Sequence, residues 1–239
     1  VRRAREFAPN ADVREMPDLA HDFLEMWYGR NGRSTGANGH CVINPLATPR
    51  AHPGEFAALI DALCQRYRQV TLATAQPGEE VAMLRSLPSR PSNLDVFVSG
   101  DWEPPLHLLS RADVVVAERF HYIAAAAHAG AKVIPVIQTA KARHLSHLLG
   151  LSDSSIDGKT YRAAKVLAQL DTLQPPATDR LQALARDVRS TIAHVEQQRA
   201  LPARYSTNVQ RAARTMTREI LAWGWNQKRH AAVKRLRRK

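Results

Sequence analysis

The residues of this chain best suited to chemistry are Arg119 and His121, two positions apart where an apolar run gives way to an alanine-rich one. Asp113 to Ala117 reads as a buried strand, and Phe120 to Ala129, ended by Gly130, as a helix. A turn between them sets its side chains beside the first backbone N–H groups of the helix. Those groups lack acceptors within the helix and carry the positive end of its dipole. An arginine there can fork onto a carboxylate or phosphate through two parallel hydrogen bonds. A histidine there can donate to the same anion or serve as a general acid. The pair predicts an anion-binding corner; the plainer alternative is a surface arginine beside a helix-capping histidine. Glu118, just before them, either orients Arg119 or faces the ligand. Lys141 opens the next predicted helix and can reach the same pocket from its first turn. Otherwise it belongs, with Arg143, His144 and His147, to a solvated face. His144 and His147 stand at i, i+3, but no third ligand follows in a recognisable spacing, so no metal site is predicted.

These side chains need a scaffold. Strands are expected at Asp12–Glu15, Cys41–Leu46, Val70–Thr74, Leu94–Val98, Asp113–Ala117 and Lys132–Ile137. Helices are expected at Gly54–Gln69, Glu79–Leu87, Pro104–Leu109, Phe120–Ala129 and Lys141–Leu149. Short, near-continuous apolar strands alternating with helices predict a parallel sheet covered on both faces, an α/β, Rossmann-like domain over about residues 40–151. Ligands of such sheets bind at the carboxyl ends of the strands, where residues 118–121 fall. Residues 1–39 read as an N-terminal segment whose glycine-rich part, Trp27 to Gly39, is a flexible connector. Residues 152–203 read as purely helical from Lys159. One helix there shares a face at Tyr161, Ala164, Leu167 and Leu170. A second, Asp179–Gln198, carries the stripe Leu181, Leu184, Val188, Ile192 and Val195. Residues 204–239 read as a basic amphipathic helix.

Composition narrows the classes. An apolar content of 44% over 239 residues supports a globular core. No apolar run approaches the ~18–20 residues that span a bilayer, and no signal-peptide core is visible. Cys41 and Cys64 form no CxxC pair and are expected as buried thiols. The first residue, Val1, is read as the start of a processed chain or a fragment. The net charge of +12 is concentrated: Arg204 to Lys239 holds eleven Lys/Arg against one acid, Glu219. A near-neutral body argues against nucleic acid as a partner. The tail, with Met216, Ile220, Leu221, Trp223 and Trp225, suits peripheral contact with an anionic membrane, an acidic polymer, or packing back on the body. Asp101-Trp102-Glu103 either stacks on a sugar ring or is a loop folded over its own tryptophan. His107 and His128 are expected to be structural.

The segment Leu106–Val136, LHLLSRADVVVAERFHYIAAAAHAGAKVIPV, followed by KARHLSHLLGL from Lys141, resembles the polysaccharide pyruvyl transferase family. That family shows an Ala-Asp and an apolar triplet before Arg-x-His, a small-residue helix, a Gly-x-x-Val-Ile strand and a lysine opening the next helix. Looser likeness lies in Val1–Phe7, VRRAREF, and in Val13–Ala20, VREMPDLA. The resemblance implies a GT-B-like fold of which this chain supplies the second half. It implies transfer of a pyruvyl group from phosphoenolpyruvate to a saccharide as a ketal, in building cell-surface or exopolysaccharide; the cysteine usage and basic tail add the expectation of a cytoplasmic protein at the inner face of the membrane, with a lipid-linked acceptor. No cofactor is implied beyond phosphoenolpyruvate as donor substrate. The donor site would fall on Arg119, Phe120 and His121, with Lys141 and an early arginine, Arg2 (or Arg3 or Arg5). His121 would be the acid. The second function carried forward is a nucleotide-sugar glycosyltransferase of GT-B type, and the third a non-catalytic saccharide- or anion-binding protein.

Overall fold

The computed structural model describes residues 17–198, except 37, 77, 80–82, 85, 86 and 89. The expected strand at Asp12–Glu15, most of the helix Glu79–Leu87, the basic tail and Arg2 lie outside those residues. The chain forms two compact units, residues 1–189 and 190–239, and the sheet lies wholly within the first.

Six strands are seen among the described residues: β1 His40–Asn44, β2 Gln69–Thr74, β3 Leu94–Val98, β4 Val114–Ala117, β5 Lys132–Ile137 and the short β6 Ile156–Asp157. They form one sheet in the order β3-β2-β1-β4-β5-β6, and every neighbouring pair is parallel. The helices are α1 Ala20–Asn31, α2 Thr48–Ala51, α3 Pro53–Arg66, α4 Glu103–Leu109, α5 Phe120–His128, α6 Ala140–Leu148, α7 Ala163–Leu170 and α8 Thr178–Gln198. This is the doubly wound α/β arrangement expected from the alternation of elements.

Successive strand side chains point to opposite faces, and each face has its own core. Val42, Ala73, Val115, Ala117 and Val133 pack with α1, α4, α5, α6 and α8. Cys41, Ile43, Val70, Leu72, Val114, Val116, Ile134 and Val136 pack with α3 and α7. Helix α5 is buried continuously from Tyr122 to His128, as its all-round apolar sequence requires. Its four consecutive alanines let the sheet on one side and α1 on the other approach closely.

Acidic residues bracket β4. At its start, the Asp113 carboxylate accepts the backbone N–H groups of Asn38, Gly39 and His40. At its end, the buried Glu118 accepts from the backbone N–H groups of Ala47, at 2.8 Å, and Thr48, and from Gln138 Nε2 at 2.9 Å. Glu118 therefore caps α2 and joins the loops after β1, β4 and β5, rather than orienting Arg119. Gln138 lies so close to Gly158 that a Cβ there would collide with its side-chain amide.

Two expectations are corrected. Trp27 to Asn31 is not connector but the last turns of α1, which ends at Gly32 with φ +91°. Leu24, Trp27 and Tyr28, spaced i, i+3, i+4, are buried there, and that packing outweighs the helix cost of Gly29. Ahead of the stretch expected to be helical from Lys159, Ile156–Asp157 adds a short strand beside β5. In α7 the buried stripe is Ala163, Val166 and Leu170, while Ala164 is exposed and Leu167 only half-buried. Cys41 is buried as expected and Cys64 half-buried, both as free thiols.

Candidate active site at the carboxyl end of the sheet

In a doubly wound sheet the chain leaves β1 and β4 toward opposite faces, which opens a crevice between their carboxyl ends. Here α3 follows β1 onto one face and α5 follows β4 onto the other. Arg119, Phe120 and His121 stand at that switch point. Arg119 is the extended residue before α5, with φ −86° and ψ 132°, so Phe120 and His121 occupy the first turn, whose N–H groups point out of the sheet.

The structure brings Phe120, His121 and Lys141 together. Phe120 is half-buried. The His121 ring meets it edge-on, with centroids 5.2 Å apart, and is itself exposed. Lys141, in the first turn of α6, holds its ammonium 4.0 Å from the centre of the Phe120 ring. That cation–π contact fixes the position of a side chain that is otherwise well exposed. The same ammonium lies 3.7 Å from Asp18, which caps the start of α1 by accepting from the Ala20 N–H. Thr139 caps α6 in the same way. Arg143, His144 and His147 are exposed along α6, and Arg143 pairs with Asp157 at 3.5 Å.

Arg119 behaves differently from the expectation of a free guanidinium. Its Nη2 lies 2.6 and 2.7 Å from the two carboxylate oxygens of Glu79, beyond the end of β2. Glu79 in turn accepts a 2.5 Å hydrogen bond from the Thr74 hydroxyl, and Thr74 accepts from the Gln76 backbone N–H. Arg119 Nε is buried without a partner among the described residues, as is the Tyr122 hydroxyl just inside α5. Burial pushes that phenol up to about 12. On the other side of the crevice, Asn44 Oδ1 and Thr48 Oγ1 are unpartnered among the described residues and line a cavity of about 10 Å³, room for one water.

Sequence reasoning did not find Glu79, Thr74 or Asn44. The acids and hydroxyls of β1 and β2 carry no local motif, and only the strand order sets them beside β4. Trp102 is 59% exposed, not folded into its own loop, and its ring meets the half-exposed Phe23 edge-on at 5.1 Å.

His128 is fully buried and structural. It donates and accepts in a chain that runs His21, His128, Glu25, Arg33, with ring–ring and ring–carboxylate distances of 3.0 Å. A carboxylate only accepts, so His128 Nδ1 carries the proton and its Nε2 accepts from His21 Nδ1. His21 Nε2 is then a buried acceptor with no partner among the described residues. Burial holds both imidazoles below their ordinary range.

Several solved structures are similar in fold. They include the glycosyltransferase of kitacinnamycin, at 22% identity and TM-score 0.44 over 71% of this chain and 45% of that one. The calicheamicin glycosyltransferase CalG4 matches at 17% identity and TM-score 0.47, over 70% of this chain and 45% of that one. AviGT4, a glycosyltransferase involved in avilamycin A biosynthesis, matches at 18% identity and TM-score 0.45, over 84% and 61%. The chain thus spans about half the length of these proteins. No family model and no curated protein sequence matches it.

Proposed function

We propose that the protein is a transferase that moves a pyruvyl group from phosphoenolpyruvate onto a saccharide as a cyclic ketal. The observation that carries this reading is the grouping of His121 and Lys141 around Phe120, at the switch point of the sheet and directly after Arg119 in the chain. Phenylalanine between a histidine and a lysine, with Arg119 preceding it in the chain, makes a surface for a small, flat, doubly anionic molecule. The sequence resemblance to the pyruvyl transferases supplies the identity of that molecule.

The residue types suit the reaction. Phosphoenolpyruvate presents a carboxylate and a phosphate on a three-carbon frame. A proton delivered to its methylene carbon turns the enol carbon into an electrophile and the methylene into a methyl group. One saccharide hydroxyl adds to that carbon; the C–O bond to phosphate then breaks, and a second hydroxyl closes the ketal. Both hydroxyls give up their protons, and inorganic phosphate leaves. In this scheme His121 is the acid. Arg119, Lys141, the first-turn N–H groups of α5 and Arg2 hold the carboxylate and the departing phosphate. The scheme asks for no metal. Phe120 keeps water from one face of the donor and positions Lys141. A lipid-linked acceptor at the inner face of the membrane, reached through the basic tail, belongs to the same proposal.

Thermal unfolding of the full chain with phosphoenolpyruvate, or with uridine or guanosine diphosphate sugars, tests it. A ligand at 100 times its Kd stabilises by about 2.7 kcal/mol, a readily measured shift. The expected result is a rise in Tm with phosphoenolpyruvate that Arg119→Ala removes. A rise with a nucleotide sugar alone would move the assignment to glycosyl transfer, and no rise with either would leave a binding or structural protein.

A further inference from the structure

The pairing of Arg119 with Glu79 has a geometry that a simple surface ion pair lacks. Both oxygens of Glu79 crowd onto one nitrogen, Nη2, while Nε is buried with no partner among the described residues. A guanidinium offers two parallel N–H bonds along its Nε–Nη2 edge, and Glu79 does not use that edge. The carboxylate is also held from behind. The Gln76 N–H occupies a lone pair of the Thr74 hydroxyl, so the hydroxyl proton is directed at Glu79 Oε2. Thr74 is fully buried at the end of β2, and the side chains of Glu79 and Arg119 are each about one-fifth exposed. β1 separates β2 from β4 in the sheet, so the Glu79–Arg119 contact passes across the mouth of the crevice.

We infer that Glu79 holds the place on Arg119 that the ligand's carboxylate or phosphoryl group takes, so that binding exchanges one oxyanion for another and Glu79 sets which anions can enter. The inference rests on the proposal that Arg119 receives the donor. An incoming carboxylate or phosphoryl group can engage Nε and Nη2 together, and so satisfies a buried donor that Glu79 leaves unmet. That difference favours the exchange. A neutral alcohol oxygen brings no charge to replace that of the carboxylate and does not displace Glu79. Released, the Glu79 carboxylate can turn to water at the rim and keep its Thr74 hydrogen bond.

The test is calorimetric titration of the full chain with phosphoenolpyruvate and, separately, with inorganic phosphate. The variants are Glu79→Gln, Thr74→Val and Arg119→Ala, each checked for folding by circular dichroism. Glutamine keeps the shape of Glu79 and removes the competing charge. For a half-buried pair this should tighten both ligands by about fivefold. Thr74→Val loosens Glu79 from behind and should tighten binding less, giving a second readout should Glu79→Gln not fold. Tighter phosphoenolpyruvate with unchanged phosphate would mean that the carboxylate is the group that replaces Glu79. Tighter binding of both points to the phosphoryl group. Unchanged or weaker binding of both in Glu79→Gln, with Arg119→Ala still abolishing it, overturns the exchange and makes Glu79 a positioning residue for Arg119. If Arg119→Ala binds normally, the donor site itself is wrong, a failure separate from that of the exchange.

Discussion

At the scale of single residues, charge here is decided by partners. Arg119 has the fork that an oxyanion needs, and lysine does not reproduce it: a point charge cannot make two parallel bonds. Arg119→Lys should therefore retain the fold but lose most of the thermal shift with phosphoenolpyruvate, by an order of magnitude or more in Kd. Near-full retention of affinity would show that only net charge matters. A second residue-scale prediction concerns the buried pair His21 and His128, with Asp18, Glu25 and Arg33 around it. Burial lowers both imidazoles in the folded chain, whereas in the unfolded chain they titrate near 6.5. As pH falls below that value the unfolded state binds more protons, so stability is present above it and is lost on acidification. Tm should drop between pH 7.5 and 5, and drop less steeply in His128→Gln; equal slopes would assign the acid sensitivity elsewhere. The Arg119 and His121 corner was legible because strand and helix patterns met there. Glu79 was not, since its contact with Arg119 spans forty residues and exists only through the strand order. Glu118 was legible as important but not in direction, because what it caps, the loop at Ala47 and Thr48, lies seventy residues away.

At the scale of elements, packing settled what composition obscured. The glycines between Trp27 and Gly39 read as connector, yet Leu24, Trp27 and Tyr28 pull the segment into a helix against α5. The other strands and helices from β1 to α6 were readable to within a residue or two, because each is bounded by glycine, proline or a change of hydrophobic period, but α2 was not expected and α3 stops three residues before Gln69. The face of α7 was misread by one position, as a short helix that opens on the adjacent alanines Ala163 and Ala164 offers two nearly equal stripes. Helix α5 is the element where volume is most constrained. Ala126 is fully buried, so Ala126→Leu should cost about 1–3 kcal/mol through overpacking. Urea unfolding would show it as a lower midpoint with unchanged slope. No loss would mean that α1 and the sheet can move apart to admit the larger side chain.

At the scale of the whole molecule, the charge of +12 resides mainly in Arg204 to Lys239. No described helix is long and apolar enough to cross a membrane. If that tail contacts anionic lipid, the full chain should sediment with phosphatidylglycerol vesicles at low salt and be released at about 0.5 M salt, where screening is nearly complete. Equal binding to neutral vesicles, or none to either, removes the membrane from the proposal. Within residues 17–189 the crevice has two unlike walls. Helix α5 is buried from Tyr122 to His128, so the corner at its start behaves as a fixed datum rather than a hinge. The Glu79 carboxylate, by contrast, lies beyond the end of β2 and is held, among the described residues, by the Thr74 hydroxyl and the Arg119 guanidinium. Recognition at this crevice should then be mechanically one-sided: the β4 wall measures the ligand and the β2 wall yields to it. Amide exchange would register this as altered protection after β2, with residues 122–128 unmoved.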